Sequence, residues 1–506
     1  MTTTAPPPVA TILERQRAAY LGDGIPDLAT RIDRVSRLEA MVLDHAEDLV
    51  AALAEDFGTR AREVSLLADV VGCMGDLEYQ KKYLRSWMRT RSRGWLLSRS
   101  GLRQQIRHDP LGVVGVMGPW NFPVQLTMLP AGTALAAGNR VMVRPSEITV
   151  VTAQLLAELA EQYFSVEELV VLTDDRVDGP TFAALEFDHL FFTGSATVGA
   201  QVAQAAGKNL VPVTLELGGK NPAVVDRSVD LRRAAGRIAA SRMVNGGQVC
   251  MCPDYVAVPE EWLDAFVDEV ITQWRRAFPH IVTNGDYTSI VSERHFDRVV
   301  ALIDDAVAHG AARRHHVPAG ETLPDRGSRK IAPTVLTDVP ADARVNREEI
   351  FGPLLVVRPY RELAEAIDYV NASPHPLTIY WYGADNDRYR QLQGATRSGS
   401  VNANDLTLNF IGSELPFGGV GHSGSGAYRG RAGFDTFTHA RGVAFSRWPV
   451  SLARMMAPPF GRRDARMVNL QLAAFRRRNR QKGPGRMDGL NYWRAMAIRK
   501  RSSGSM

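Results

Sequence analysis

Cys250 closes the run Gly246-Gly247-Gln248-Val249-Cys250, where small, flexible neighbours leave a thiol open to approach. Upstream, Leu215-Glu216-Leu217-Gly218-Gly219-Lys220-Asn221-Pro222 supplies a carboxylate, Glu216, able to act as its base. A thiol activated in this way adds to a carbonyl carbon. The chain has only three cysteines, Cys73, Cys250 and Cys252. A lone cysteine is ordinarily an inert buried thiol, and Cys73, inside a helical pattern, reads that way; the Gly-Gly-Gln context argues otherwise for Cys250. Cys252 either packs or traps an oxidised Cys250.

A second constellation could hold phosphate. Phe191-Phe192-Thr193-Gly194-Ser195-Ala196-Thr197-Val198-Gly199 predicts a strand, a glycine turn and a helix start. Backbone N–H groups and the helix dipole would face an anion there, with the Ser195 hydroxyl beside them, although many plain structural turns look the same. Val143-Arg144-Pro145-Ser146-Glu147 follows another predicted strand. An acidic residue at a strand end can accept from a ribose diol, and Ser146 or Glu147 can equally cap the next helix. A literal G-x-G-x-x-G at Gly419, Gly421 and Gly424 is rejected as a nucleotide site. It follows no apolar strand and precedes no apolar helix, so close backbone packing explains it better. No metal site is expected: His315 and His316 are adjacent, beside Arg313-Arg314, rather than a helical turn apart. A thiol beside a hydride acceptor oxidises an aldehyde through a thioester; the same thiol and carboxylate without one make a thiol esterase.

The elements around these residues alternate. Strands are predicted at Gly112–Met117, Arg140–Val143, Leu169–Leu172, His189–Thr193 and Val213–Leu217, and helices at Ala131–Ala137, Val151–Phe164 and Val198–Ala206. That βαβα order predicts an α/β fold with a doubly wound, Rossmann-type parallel sheet binding a dinucleotide at its strand ends. A second α/β unit follows. The expected domains are 1–90 with 108–216 for dinucleotide binding, 217–397 for catalysis, 91–107 with 398–446 as a small third domain of paired β strands, by analogy alone an oligomerisation domain, and 447–506 as a basic extension. Pro110–Asn139 has no charged residue, but Pro119, Pro123 and Pro130 argue against a membrane helix.

Composition narrows the class. The 506 residues are 45% hydrophobic and 23% charged, as in a globular protein. Three cysteines give no disulfide framework, and no export signal is read at the N-terminus, so a cytoplasmic location is expected. The net charge of +5 is uneven: from Phe460 to Met506, thirteen Arg/Lys against two Asp give +11 and leave −6 for the rest. Arg476-Arg477-Arg478 and Arg499-Lys500-Arg501 are either a solvated extension or a contact for an anionic membrane surface. No nucleic-acid partner is expected.

Taken in order, these pieces resemble the NAD(P)-dependent aldehyde dehydrogenase superfamily from about residue 30 to 446. Pro119-Trp120-Asn121-Phe122-Pro123 looks like the loop whose asparagine completes an oxyanion hole. Glu216 falls on the family's general base and Cys250 on its nucleophile. Glu349-Ile350-Phe351-Gly352-Pro353 looks like the element that holds the nicotinamide ribose, and Leu415-Pro416-Phe417-Gly418-Gly419 like the late glycine loop. The resemblance implies catalytic residues Cys250, Glu216 and Asn121. It also implies a cofactor groove of Trp120, Arg144, Ser146, Glu147, Gly194, Ser195, Gly199, Leu217, Glu349 and Phe351. The cofactor implied is NAD, with NADP possible, and the assembly a homodimer or homotetramer. Asp56-Phe57-Gly58, Tyr83–Met88 and Ala427-Tyr428 through Phe437 lean toward the coniferyl aldehyde dehydrogenase and class 3 branch. That implies an aromatic substrate such as coniferyl aldehyde, or a medium- or long-chain one, with a fatty or semialdehyde dehydrogenase as the alternative. Phe122, Val249 and Met251 would border its tunnel. Arg144 stands where the family usually has lysine, Cys252 where it often has alanine, and His422 is unusual in the glycine loop.

Overall fold

The computed structural model describes residues 8–94, 98–99, 101–448 and 451–481. They fall into two compact units, one within Met1–Arg91 and Ile106–Gly442, the other within Ser92–Gln105 and Val443–Met506. Strands β1 (Arg91–Arg93), β2 (Leu102–Pro110) and β16 (Thr438–Ser446) form a three-stranded sheet in the order β1-β2-β16. In the second unit, Arg476–Arg478 lie on the helix Arg462–Gln481, whose Val468, Leu472 and Phe475 are exposed; Arg499–Arg501 lie outside the described residues.

The first unit holds two large sheets. One is six-stranded: β3 (Val113–Met117), β4 (Arg140–Arg144), β5 (Leu169–Val171), β6 (His189–Gly194), β7 (Val213–Leu217) and β15 (Gly424–Ser425), in the order β15-β7-β6-β3-β4-β5. All its pairings are parallel except that of β15 with β7. The strands are apolar on both faces because helices cover both. Val114, Val116, Val141 and Val143 join one core cluster, whereas Val113, Met117 and Met142 join another. The expected doubly wound parallel sheet is therefore present.

The helix Gln125–Ala137 begins earlier than expected and carries Pro130 inside it. Proline in a helix interior costs about 3 kcal/mol. All thirteen residues here are buried, so packing on every side holds the helix together in spite of it. Among the described residues no helix is long and apolar enough to cross a membrane.

The other sheet has seven strands: β8 (Pro222–Val225), β9 (Tyr255–Pro259), β10 (Ala312–His315), β11 (Thr334–Thr337), β12 (Leu354–Tyr360), β13 (Thr378–Tyr382) and β14 (Ser400–Ala403). Their order is β10-β11-β12-β9-β8-β13-β14, with only β10 antiparallel. Within 398–446, β14 thus completes the seven-stranded sheet, β15 edges the six-stranded one, and only β16 joins the three-stranded one. Two glycines of the rejected motif pack backbone on backbone, Gly419 against Ser423 and Gly424 against Leu215, where a Cβ would lie 2.1 Å from the carbonyl oxygen; Gly421 instead faces the His375 ring.

Candidate active site

One cavity of about 2140 Å³ opens along the carboxyl ends of the six-stranded sheet and reaches the Cys250 loop. It exceeds the usual 300–1000 Å³ of a single small-ligand pocket. Asn121, Glu216, Cys250, Glu349, Phe351, Trp120, Arg144, Ser146, Glu147, Gly194, Ser195 and Leu217 all line it.

The Cys250 loop is held by its carbonyls. The side-chain amide of Asn221 donates to the carbonyls of Cys250 at 2.7 Å and Cys252 at 3.1 Å, and the Tyr380 hydroxyl donates to that of Met251 at 2.7 Å. Gly247, at φ 79°, is required: a Cβ there would sit 2.3 Å from the Gly352 carbonyl oxygen. Burial pushes the Cys250 thiol well up, and the nearby carboxylates of Glu349 and then Glu216 push it further. Cys252, buried, contacts the Ser241 carbonyl at 3.3 Å through its sulfur, and its thiol is pushed up to about 11, chiefly by burial.

Glu216, the penultimate residue of β7, is almost fully buried, and neither carboxylate oxygen has a hydrogen-bond partner. Desolvation raises its pKa well above the usual carboxylate range. A buried carboxyl without partners is costly unless it has work to do, and a raised pKa makes it a better proton acceptor. The buried Asn121 amide donates to the Gln248 carbonyl at 3.1 Å, which aims it at the Cys250 loop. Asn245 closes the arrangement by donating to the Asn121 carbonyl at 3.0 Å.

The Asn121 loop rests on a buried ion pair. One Asp69 carboxylate oxygen accepts from the backbone N–H groups of Val124 and Gln125, at 3.0 and 3.1 Å, and the other from Arg60 at 2.7 Å. Glu349 is anchored from beneath: the Arg298 guanidinium donates to the carbonyls of Glu349 and Ile350, at 2.9 and 2.5 Å, and Asp254 accepts from the Ile350 N–H at 2.9 Å. Its pKa is pushed up to about 7, mainly by burial. Phe351 adopts φ 49°, unusual for a side chain of this size, and its ring meets Trp120 edge-on at 5.2 Å.

These residues fit a dinucleotide. Ser195 caps the helix Ala196–Lys208 and accepts from the Val198 N–H at 3.3 Å, so a helix N-terminus opens on the cavity. Gly199 keeps that helix tight against β7, since a Cβ there would lie 2.7 Å from the Leu217 side chain. Gly218 leaves room for the Glu349 carboxylate, 2.3 Å from where a Cβ would stand. One expectation fails. Neither Ser146 nor Glu147 caps the helix Val150–Tyr163. The Asp56 carboxylate accepts from the N–H groups of Val151 and Thr152 at 3.0 and 2.9 Å, while the Ser146 hydroxyl accepts from Ile148 at 3.2 Å. A carboxylate from a separate helix reaches both free N–H groups, which a side chain in the β4 turn does not.

Sequence reading missed Asp69, Asn221, Asn245, Arg298 and Asp254. Each acts on a segment distant in the chain, and no local pattern marks it; only Asn221 sat inside a motif already noticed.

A doubly wound sheet, a thiol loop and an unpartnered buried carboxyl on one groove fit an oxidoreductase of the aldehyde group. The sequence pattern of the aldehyde dehydrogenase family matches residues 24–443, and the chain belongs to that family. It is 43% identical to the coniferyl aldehyde dehydrogenase of a Pseudomonas sp., covering 90% of this chain and 94% of that protein. It is 34% identical to the dimeric NADP-preferring aldehyde dehydrogenase of Canis lupus familiaris, over 88% of this chain and 99% of that one. Among solved structures, a substrate-bound Staphylococcus aureus AldH superposes with a TM-score of 0.84 at 29% identity, covering 92% of this chain and 100% of that one. An indole-3-acetaldehyde dehydrogenase complexed with NAD+ gives 0.78 at 27% identity, covering 87% and 89%.

Proposed function

We propose that this enzyme oxidises aromatic aldehydes of the coniferyl type to carboxylic acids with NAD(P)+, through a thioester on Cys250. The observation that carries the reading is the convergence of Cys250, the unpartnered Glu216 and the Asn121 amide on the same cavity as the capped helix at Ser195. The Cys250 thiol releases its proton to solvent and the thiolate sulfur adds to the aldehyde carbon. The Asn121 side-chain amide and the Cys250 backbone N–H donate to the oxygen as it takes on charge, and losing one such donor costs about 3–4 kcal/mol. When bound, NAD(P)+ supplies the hydride acceptor, held in place by Trp120, Glu349 and Phe351. Glu216 then takes a proton from the water that cleaves the thioester, the acid leaves and the thiolate returns.

Phe122, Leu126, Val249, Met251, Phe410, Phe417 and Tyr428 line the cavity around the thiol, which supports a flat apolar substrate. The relatives named coniferyl aldehyde dehydrogenase support the same class. The free cysteines suit a reducing compartment such as the cytoplasm. Coniferyl aldehyde, benzaldehyde and a medium-chain aliphatic aldehyde are compared by kcat/KM from NADH absorbance, with Cys250→Ala as control. The aromatic aldehydes should lead and the variant should be silent while still binding NAD+. Preference for the aliphatic substrate overturns the class, and residual turnover overturns the nucleophile.

A further inference from the structure

We propose that this chain selects against a 2′-phosphate on its dinucleotide, and that Asp174 imposes the selection by occupying the Arg144 guanidinium. The inference rests on the cofactor reading above and deepens it.

Arg144 is the cation at the end of β4 where a ribose would lie, and its side chain is 7% exposed. An arginine so placed is the usual means of accommodating a 2′-phosphate. Here each guanidinium nitrogen already has a partner. Nε donates to the Val177 carbonyl at 3.1 Å, Nη1 to a Glu147 carboxylate oxygen at 3.2 Å, and Nη2 to the Asp174 carboxylate. Asp178, which caps the Thr181 N–H at 2.7 Å, adds a third carboxylate within electrostatic reach of Arg144. One positive charge therefore faces three negative ones.

Asp174 and Glu147 are half-exposed on the cavity wall, so their remaining oxygens can accept from the hydroxyls of a ribose diol. A phosphate ester there would bring between one and two further negative charges. It would meet carboxylates in front and a guanidinium with no free fork behind. Lys208 also lines the cavity but closes the helix that Ser195 opens, about 18 Å along its axis from the turn. Asp174 stands beyond β5 on a separate segment from β4, so it can be changed without altering the Arg144–Glu147 turn.

The test uses adenosine 5′-monophosphate and adenosine 2′,5′-bisphosphate as probes, titrated by calorimetry into the full chain, with no turnover needed. Wild type should bind the 2′-phosphorylated probe at least about tenfold more weakly. Asp174→Asn should close that gap by about tenfold, Asp174→Ser should do the same, and adding Arg144→Ala should reverse the gain. NADP+ against NAD+ affinities should follow the same order. Equal binding of the two probes by wild type, or an unchanged ratio in both Asp174 variants, overturns the proposal while leaving the cofactor groove intact. Failure of adenosine 5′-monophosphate and NAD+ alike to bind overturns the groove itself and the proposal with it.

Discussion

Two carboxyls beside one thiol differ in their surroundings. Glu216 has no hydrogen-bond partner, whereas Glu349 accepts from the Gly219 N–H and lies near Arg298 and Lys220. Glu216→Gln should leave a burst of NADH equal to the enzyme present and slow the steady rate by roughly 100-fold or more, read by stopped flow. An unchanged steady rate counts against Glu216 as the base. Glu349 makes a pH prediction. Its folded pKa, about 7, stands above the ordinary 4.5, so the folded state holds a proton that the unfolded chain has released between those values. Stability contributed by this group is therefore present below about pH 4.5 and falls as pH rises toward 7. The Tm of Glu349→Gln should gain on wild type across that window and keep a constant lead above it. Parallel curves would contradict the shift.

At the scale of elements, the site depends on helix ends fixed by distant carboxylates. Asp56 reaches from the helix Ala46–Phe57 to cap Val150–Tyr163, the helix that follows the Arg144 turn. Asp56→Ala should lower stability by about 1–2 kcal/mol in denaturant titration. If it leaves the midpoint unmoved, the capping bonds contribute nothing. Asp69 performs the same service for Gln125–Ala137, and it also holds Arg60, whose guanidinium lies 5.3 Å from the Phe122 ring centre.

For the whole molecule, we propose a homodimer or homotetramer. β16, nine residues long and mostly exposed, lies at the edge of its three-stranded sheet, and such an edge pairs readily with another chain. Val443→Pro removes one main-chain donor from β16 and places within it a residue that blunts strand pairing. Light scattering should then show a mass near the 55.6 kDa of one chain, against two or four times that for wild type. A monomeric wild type ends the proposal.

Local pattern was enough for the strands from Val113 to Leu217 and to single out Cys250 and Glu216, because period, glycine turns and residue chemistry are short-range properties; Asn121 came from the family resemblance. The helix across Pro130 was not legible, since burial on all sides outweighs the local rule. Nor was the Asp56 cap, nor the grip of Asn221 and Tyr380 on the Cys250 loop. Sequence by itself determined which groups could react and which elements would carry them. Only the tertiary structure decided that Glu216 is left without partners, that Asp69 and Arg298 sit beneath the two loops, and that Asp174 occupies Arg144. Desolvation and long-range pairing arise when distant segments pack, and no window of sequence contains both halves of such a contact.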